Sequence, residues 1–490
     1  MKKIYIIAAC LLVILAGACS KDDSSGITNP LPAVEVDGLE EAYSLYTRRD
    51  TLRINPTVAD ESLYDFYWTV YTTGFVQGTG QVPKPDTLAR TKNIEYAVVM
   101  DPGNYYLIFN VKHKASGVVK MINIPLTVAT LTMKGWYLLK DDGAHTDFDF
   151  IHPEGRINNW IAFFNEGRKM SGKAVKAVFI PGYKTGLSST NLFSTLMVLS
   201  ENDLLVCRVD NGKVVNSFDD IFFSKPPVRK LQNALVSMSG SNIGLINNNL
   251  AYAMTKGALF ADLPPTYRVS GVAGVAAMDI GFDITSKSVI CYNFANFAAL
   301  GSNGGDLKNM GADMTWIGGY AGVRSAAMAL FRKPDGSGIL AKLNAQYGYL
   351  AGFQSPLVPN KQNLSSEHGL MNASTIGGNY DADYVYYAIG NSIYRTDIAT
   401  ISETLQVSVP AGETITCIQH VKYPQPVSAT VPPTVDYLAI ASYANGHYKV
   451  WLHKVNSTGT IQPVTAPSFE GDGRVTNITY MEQGLGSRTF

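Results

Sequence analysis

Short apolar strand patterns separated by turn residues run through almost the whole chain. In the first part they cover residues 33–36, 51–54, 64–71, 96–100, 105–112 and 118–128. The turn signal Pro102-Gly103-Asn104 precedes one of them, and the polar segment 114–117 separates the last two, which we expect to pair as a hairpin. About six short strands in roughly 100 residues predict an immunoglobulin-like β-sandwich over residues 31–130.

Two-residue turns separate the apolar runs in the rest of the chain. Asn-Gly and Asp-Gly favour hairpins because both central residues of a type I′ turn need positive φ. The turns are Asp142-Gly143, Asn211-Gly212, Asp335-Gly336, Gly390-Asn391 and Asn445-Gly446. The last three begin at residues 335, 390 and 445, which are evenly spaced.

Hairpins at such a spacing predict a β-propeller over residues 131–490, in an all-β chain. We expect seven blades, with six as the alternative. Residues 475–481 would complete the first blade and close the ring, which removes exposed sheet edges. The other architectures to consider are two unrelated β-domains or a β-helix.

The first residues carry the features of an export signal. Lys2 and Lys3 precede an apolar run over residues 4–15, followed by Ala16-Gly17-Ala18-Cys19. This order predicts a signal peptide over residues 1–18, and its apolar run is shorter than the roughly 20 residues of a membrane span. The small residues before Cys19 resemble a bacterial lipobox, which implies that Cys19 carries the lipid. An ordinary secretory signal is the alternative.

The segment after Cys19 indicates where the protein is delivered. Ser20-Lys21-Asp22-Asp23 resembles the export signal of Bacteroidota surface lipoproteins. That resemblance implies a lipid-anchored protein of the outer membrane that faces the cell exterior. We expect residues 19–30 to form a flexible tether in either case, because charged, small and Gly residues dominate them.

Composition and charge limit the kinds of function that the protein can have. Forty basic residues balance forty acidic residues, so the chain lacks the positive charge that nucleic acid requires. Hydrophobic residues make up 46% of the chain and charged residues 16%, which allows a large core. Cys207, Cys291 and Cys417 each lie in an apolar run and are predicted to be buried rather than paired or bound to zinc. We expect no cofactor and no metal.

Common catalytic motifs are missing from the sequence. HExxH, GxSxG and GxxxxGK[ST] do not occur, so the protein is predicted not to be an enzyme. A propeller hydrolase such as a glycosidase is the alternative, with carboxylates expected at the hub of the ring. The acidic group at residues 141, 142, 145, 147 and 149 is interpreted as a solvated hairpin rather than a calcium site.

Two Gly-rich stretches supply the ligand-binding candidates. Residues 301–322 have little strand character and carry Trp316 and Tyr320, while the shorter stretch 376–383 carries Tyr380. Exposed aromatic faces stack on sugar rings and peptide side chains, and long loops on a rigid scaffold are often functional. Packing between blades is the alternative role for these aromatics. Three other tryptophans lie in strand patterns and are predicted to be core: Trp68, Trp136 and Trp451.

The layout of the chain resembles the PKD-like family of Bacteroidota lipoproteins. The residues that carry this resemblance are Cys19 with Lys-Asp-Asp, the sandwich, Gly135-Trp136-Tyr137-Leu138-Leu139 and Phe148-Asp149-Phe150. It implies an accessory binding component of a TonB-dependent SusC/SusD-type system that imports a glycan or peptide. Membrane lipid, through Cys19, and the transporter components would be its partners. A structural scaffold in an outer-membrane complex is the alternative.

Overall fold

The computed structural model describes most of the chain after the N-terminal segment, and the described part is built almost entirely from β-strands. It divides into two compact units, of which the first ends at Ala129 and the second begins at Thr130. The described residues are 34–74, 84–236, 242–255, 259–262, 267–275, 278–293, 296–299, 307–320, 326–344, 347–348, 352–353, 357–379, 381–423, 433–482, 485–486 and 488–489.

The first unit is a β-sandwich. Its strands are β1 (Val36–Asp37), β2 (Tyr43–Tyr46), β3 (Thr51–Ile54), β4 (Thr57–Val58), β5 (Tyr64–Thr72), β6 (Asp86–Ala89), β7 (Ile94–Ala97), β8 (Gly103–His113) and β9 (Val119–Ala129), with a 3-10 turn at Glu61–Leu63. A five-stranded sheet in the order β2-β9-β8-β5-β6 packs against the smaller pairs β3-β7 and β1-β4.

The core of the sandwich forms where apolar side chains from both layers meet. Trp68 is fully buried against Phe109, and its indole Nε1 donates to the Lys92 carbonyl at 2.9 Å. The predicted hairpin between the last two strands is present, because β8 and β9 pair antiparallel. The sandwich prediction is confirmed, although the strand expected at residues 96–100 lies earlier in the chain, at β7.

The second unit consists of consecutive antiparallel sheets. Sheet 1 contains β10 (Gly135–Asp141), β11 (His145–His152), β12 (Gly155–Ile157), β13 (Met170–Ser171), β41 (Arg474–Glu482) and β42 (Leu485–Gly486), with helix α1 (Trp160–Phe164) beside it. Sheet 2 contains β14 (Ala174–Tyr183), β15 (Phe193–Ser200), β16 (Leu204–Arg208) and β17 (Val214–Ser217). Sheet 3 contains β18 (Leu231–Val236), β19 (Asn242–Asn247), β20 (Leu250–Thr255) and β21 (Ala261–Asp262).

The remaining sheets repeat this arrangement. Sheet 4 contains β22 (Val269–Val275), β23 (Met278–Asp283), β24 (Ser288–Asn293) and β25 (Asn296–Ala299). Sheet 5 contains β26 (Asp313–Tyr320), β27 (Ala326–Arg332), β28 (Gly338–Asn344) and β31 (Leu357–Leu364), and a separate pair joins β29 (Tyr347–Gly348) to β30 (Gly352–Phe353). Sheet 6 contains β32 (Thr375–Gly378), β33 (Tyr384–Ile389), β34 (Ser392–Asp397) and β35 (Glu403–Ser408), after a 3-10 turn at Gly369–Asn372. Sheet 7 contains β36 (Thr414–Tyr423), β37 (Val435–Ala444), β38 (His447–Val455), β39 (Ile461–Gln462), β40 (Phe469–Asp472) and β43 (Arg488–Thr489).

Apolar side chains fill the space between each sheet and the next. Because each sheet is covered on both faces, its central strands are apolar runs rather than strict alternations. One cluster joins sheet 7 to sheet 1 and includes Val450 and Ile478, so the packing runs round a closed ring. The buried tryptophans Trp68 and Trp451 confirm the core prediction, and Trp136 is partly buried in this closing cluster.

The closing strand comes from the end of the chain, as predicted. β41 pairs antiparallel with β10, so the first sheet combines strands that are more than 300 residues apart in sequence. All five predicted hairpin turns join neighbouring strands of one sheet. Asn445 and Gly446 both have the positive φ, 50° and 85°, that a type I′ turn requires. The β-propeller prediction is thereby confirmed.

Hydrogen bonds between neighbouring sheets line the hub, where the strands β41, β14, β18, β22, β26, β32 and β36 follow one another round the ring. The Thr416 hydroxyl donates to the Val475 carbonyl at 2.6 Å, and the Thr375 hydroxyl donates to the Ile415 carbonyl at 3.1 Å. The side-chain oxygen of Asn477 accepts from the Ala177 amide at 3.3 Å. Polar side chains therefore join one sheet to the next at the axis of the ring.

Two cysteines of the second unit have the predicted environment. Cys207 and Cys417 are free and buried, and burial raises the pKa of both thiols. Both therefore act as small hydrophobic residues of the core rather than as reactive thiols. No helix in the part of the chain that the structure describes is long and apolar enough to cross a membrane.

Candidate functional site

A charged pocket of about 400 Å³ opens where the two ends of the propeller chain meet. Its walls come from the β10–β11 hairpin, from the segment around α1 and from residues 471–473 just before β41. The lining side chains are mostly charged or amides: Lys140, Asp141, Asp142, His145, Asp147, Asp149, Arg156, Asn158, Asn159, Lys169 and Asp472. We call this cavity the closure pocket.

The hairpin at the pocket is shaped by its own aspartates. The Asp141 carboxylate accepts from the Gly143 amide at 3.0 Å, and Asp142 accepts from the amides of Ala144 and His145 at 2.9 and 2.7 Å. Gly143 has φ of +94°, a conformation that side-chain-bearing residues rarely adopt. Local sequence alone therefore determines this turn.

Asp149 is the centre of a buried charge network behind the pocket. Its side chain is fully buried and lies 2.7 Å from the Lys140 ammonium and 2.7 Å from the Tyr448 hydroxyl. Arg156 also donates to this carboxylate and to the Glu470 carbonyl. Burial by itself would raise the pKa of Asp149, but Lys140, Tyr448 and Arg156 together lower it below its usual value. The carboxylate is thus ionised and fully compensated.

Asp141 forms a second link between the ends of the propeller chain. Its carboxylate is almost fully buried and accepts from the Arg474 guanidinium at 3.0 Å and from the Ala174 amide at 3.2 Å. Arg474 lies on β41, while Asp141 ends β10. Pairing of the two strands and this ion pair therefore act at the same junction.

Asp147 is buried, and in the described part of the chain its hydrogen bonds come from the backbone rather than from a cation. Its oxygens accept from three backbone amides, those of Phe148, Ile161 and Ala162, at 2.7, 2.7 and 3.1 Å. Burial raises the pKa of Asp147 to about 6, because these amides and the more distant Lys140 only partly offset the lost hydration. The group therefore gains a proton in the folded state at mildly acidic pH.

The raised pKa of Asp147 predicts a specific pH dependence of stability. A carboxyl group whose folded pKa exceeds its unfolded value of 3.8 stabilises the fold below that value and loses this contribution as the pH rises to about 6. Between pH 4 and pH 7 we expect the free energy of unfolding of the wild type to fall by on the order of 3 kcal/mol more than that of Asp147→Asn. Urea unfolding of both proteins measures this difference. A constant difference between the two proteins over this range would contradict the assignment.

The rim of the closure pocket offers groups that a ligand can reach. Asn158, Asn159 and Lys169 are exposed there and bring amide and ammonium groups. Asp142 and Asp472 bring exposed carboxylates, which lie 3.4 Å from His145 and 2.8 Å from His447 respectively. Hydrogen-bond donors and acceptors, among them positively and negatively charged groups, thus surround one small cavity.

The interpretation of the acidic group as a solvated hairpin is wrong for three of its members. Asp141, Asp147 and Asp149 are buried, and their partners come from backbone amides, Lys140, Arg156 and distant strands. Ammonium and guanidinium groups at these carboxylates do not match a calcium site, which consists of oxygen ligands. The signal in the sequence was the placement of aspartates inside an apolar strand.

A second cluster with metal-like spacing lies between sheets 6 and 7. In the described residues, ligand atoms of Asp381, His420 and Asp436 lie within 4.8 Å of one another. The Lys422 ammonium stands 2.6 Å from Asp381 and 3.2 Å from Asp436, and His420 lies 2.7 Å from Asp436. Lys422 already supplies the positive charge there, so the cluster is an ion-pair network of the ring.

The aromatic ligand-binding candidates do not come together with the closure pocket. Trp316 lies on β26 and is partly buried against the apolar cluster between sheets 5 and 6. Tyr320 ends the same strand, and its side chain lies outside the described part of the chain, as do Tyr380 and Cys19. Ligand binding by these aromatics and lipid attachment at Cys19 stay predictions.

The loop assignments around these aromatics are wrong. Residues 313–320 of the first Gly-rich stretch form β26, and residues 376–378 of the second belong to β32. Both are innermost strands of their sheets, where Gly permits close approach of neighbouring backbones. Low strand propensity was outweighed there by packing in the ring.

A PKD-like family model matches residues 29–174, less than a third of the chain. The matched segment includes the sandwich and continues through the β10–β11 hairpin and α1. Most of the closure-pocket lining therefore falls inside it, whereas residues 471–473 do not. No curated protein matches the chain.

Solved structures resemble the chain only distantly. A quinoprotein alcohol dehydrogenase-like protein of Bacteroides thetaiotaomicron is 12% identical, with a TM-score of 0.45, and the alignment covers 91% of this chain and 98% of that one. The β-propeller domain of Cps50 (Swd1) from Myceliophthora thermophila is 10% identical, with a TM-score of 0.35, over 63% of this chain and 92% of that one. The WD40 domain of SCAP from fission yeast is also 10% identical, with a TM-score of 0.33, over 63% and 74%. Similarity at this level carries no conclusion about fold or activity.

Proposed function

We propose that the protein is a non-catalytic binding protein of the cell surface whose closure pocket takes a small polar ligand, a glycan or a peptide. The observation that carries this proposal is the pocket itself. It combines a rigid wall of compensated charges with a rim of reachable amide, ammonium and carboxylate groups. Fixed polar groups around a small cavity select ligands by hydrogen-bond geometry.

The state of the buried carboxylates favours binding over catalysis. Asp141, Asp147 and Asp149 accept hydrogen bonds from backbone amides, and Asp141 and Asp149 also pair with cations. A general acid or base must have an oxygen available for the substrate proton. Among the described residues of the pocket, these three carboxylates already use their oxygens for internal contacts. These three buried carboxylates therefore give the glycosidase alternative no support.

The proposal extends to anchoring and to partners. Acylation of Cys19 would attach the chain to the outer membrane, and in the sequence the sandwich lies between this anchor and the propeller. Delivery of a captured ligand then requires a transporter, which the family resemblance suggests is of the SusC/SusD type. Co-purification of the lipidated protein from its native outer membrane tests this part, because isolation of the protein alone would favour a solitary binder.

Ligand binding is tested by titrating glycan and peptide panels into the full-length protein in detergent. For the ligand found, we expect Lys169→Ala and Asn158→Ala each to weaken affinity at least tenfold, about 1.4 kcal/mol or more, without changing the unfolding temperature. Lys454→Ala, an exposed lysine on β38 outside the pocket lining, is the matched control. Equal affinity of all three variants would place binding elsewhere and exclude the closure pocket.

A further inference from the structure

Lys176 is an unusual residue in the hub of the propeller. It lies on β14, the innermost strand of sheet 2, and its ammonium donates to the side-chain oxygen of Asn233 on β18 at 2.9 Å. The Lys176 side chain is half-buried, and its partial loss of hydration lowers the pKa of the ammonium to about 8. One neutral amide oxygen is a weak compensation for a positive charge that has lost part of its hydration.

The strands round the hub supply neutral polar groups. Thr476 on β41 directly precedes Asn477, which bonds to the Ala177 amide beside Lys176. Ser270 lies on β22, the strand that follows β18 round the ring. The hydroxyl oxygens of Thr476 and Ser270 are both buried and have no hydrogen-bond partner. A buried hydroxyl without a partner costs free energy, and two of them on innermost strands of the hub that holds Lys176 indicate a polar occupant.

The carboxylates of the innermost strands, as far as the structure describes them, do not fill this need. Within the seven innermost strands as their bounds are given above, the acidic residues are Asp313 and Glu482. Asp313 pairs with Lys287, and Glu482 lies 2.7 Å from Lys134. Both are thus engaged with other lysines rather than with Lys176.

We propose that the hub binds a small oxyanion, a carboxylate or a phosphate, next to Lys176. The ammonium donates charge-assisted hydrogen bonds to the anion, and the hydroxyls of Thr476 and Ser270 are further donors in the same hub. An oxyanion compensates the lysine charge and at the same time satisfies groups that the protein leaves without partners. This site is separate from the closure pocket and does not depend on the function proposed for it.

The first test is thermal unfolding of the full-length protein in sodium phosphate or sodium acetate at constant ionic strength. We expect one of the two anions to raise the unfolding temperature of the wild type saturably, by about 2 °C at ten times its dissociation constant. Lys176→Met should abolish this shift, and the exposed control Lys173→Met should retain it. A response to phosphate alone or acetate alone identifies the class of oxyanion.

The second test needs no variant, so it applies even if Lys176→Met fails to fold. Acetic anhydride labels lysines at pH 8, and mass spectrometry gives the rate at each position. A saturating oxyanion should slow labelling of Lys176 at least tenfold and leave Lys173 unchanged. Labelling of Lys176 that neither anion slows, together with equal thermal shifts in wild type and Lys176→Met, would show that water or a general salt effect suffices and would overturn the proposal.

Discussion

Replacing Asp149 by asparagine is expected to lower the free energy of unfolding of the propeller by about 3–5 kcal/mol, since removing one partner of a buried ion pair leaves the other charges uncompensated. The carboxylate is fully buried, and its loss leaves Lys140 and Arg156 without their counter-charge. Tyr448 from sheet 7 loses its charged acceptor as well. The substitution therefore weakens the junction between the first and last sheets.

Urea unfolding of the full chain, followed by intrinsic fluorescence, measures this effect. The matched control is Asp142→Asn on the same hairpin, where the carboxylate is 61% exposed and an asparagine oxygen can accept the same backbone hydrogen bonds. We expect the control to change stability by less than about 0.5 kcal/mol. Similar losses for both variants would show that the hairpin, rather than the buried network, determines stability here.

Replacing Gly377 by alanine is expected to destabilise the ring by about 3 kcal/mol or more, because it forces apart backbones that pack closely at the hub. A Cβ atom at this position would lie 2.3 Å from the carbonyl oxygen of Ile418 and 2.9 Å from its carbonyl carbon. Both are backbone atoms of β36, so no side-chain rotation relieves the clash. Sheets 6 and 7 would have to separate.

Gly186→Ala is the control for this substitution. A Cβ atom at Gly186 meets no other atom within 4 Å, and its φ lies outside the positive range. Alanine there should leave stability unchanged or raise it by about 0.4–1 kcal/mol through the unfolded state. If Gly377→Ala had the same small effect, the close approach of β32 and β36 could not be essential for ring packing.

The two proposed sites differ in what they imply for the protein. The closure pocket is open and bordered by exposed groups, as a site for exchange of an external ligand requires. The hub site lies beside the half-buried Lys176 on the innermost strands, so an anion there would form part of the folded ring. Separate variants, Lys169→Ala and Lys176→Met, distinguish the two.

Local chemistry in the sequence was sufficient for much of the fold. Asn445-Gly446 and the other turn pairs predicted hairpins correctly, because the Gly of each pair adopts the positive φ that a tight turn needs. The apolar runs predicted strands, and residues 475–481 were correctly assigned as the closing strand of the first sheet. Such features depend on residues that are neighbours in the chain.

The candidate site was only partly visible in the sequence. The sequence predicts the hairpin that carries Asp141 to Asp149, but it predicts solvated aspartates there. Their burial depends on Tyr448 and Arg474, about 300 residues away in the chain. No pattern within the hairpin itself reveals these partners, because the packing of sheet 7 against sheet 1 brings them there.

The Gly-rich stretches also differ between what their local sequence predicts and what the folded ring imposes. Their composition predicted loops, since glycine is a poor strand former and has no side chain to pack. In the ring, Gly377 lies against the backbone of β36, where any larger residue would clash. The sequence by itself determined the hairpin turns, most of the strands and the closing strand, because these follow from local φ preference and apolar pattern. Only the tertiary structure decided which charged side chains are buried and which glycines lie in strands, because distant segments of the chain supply the atoms that surround them.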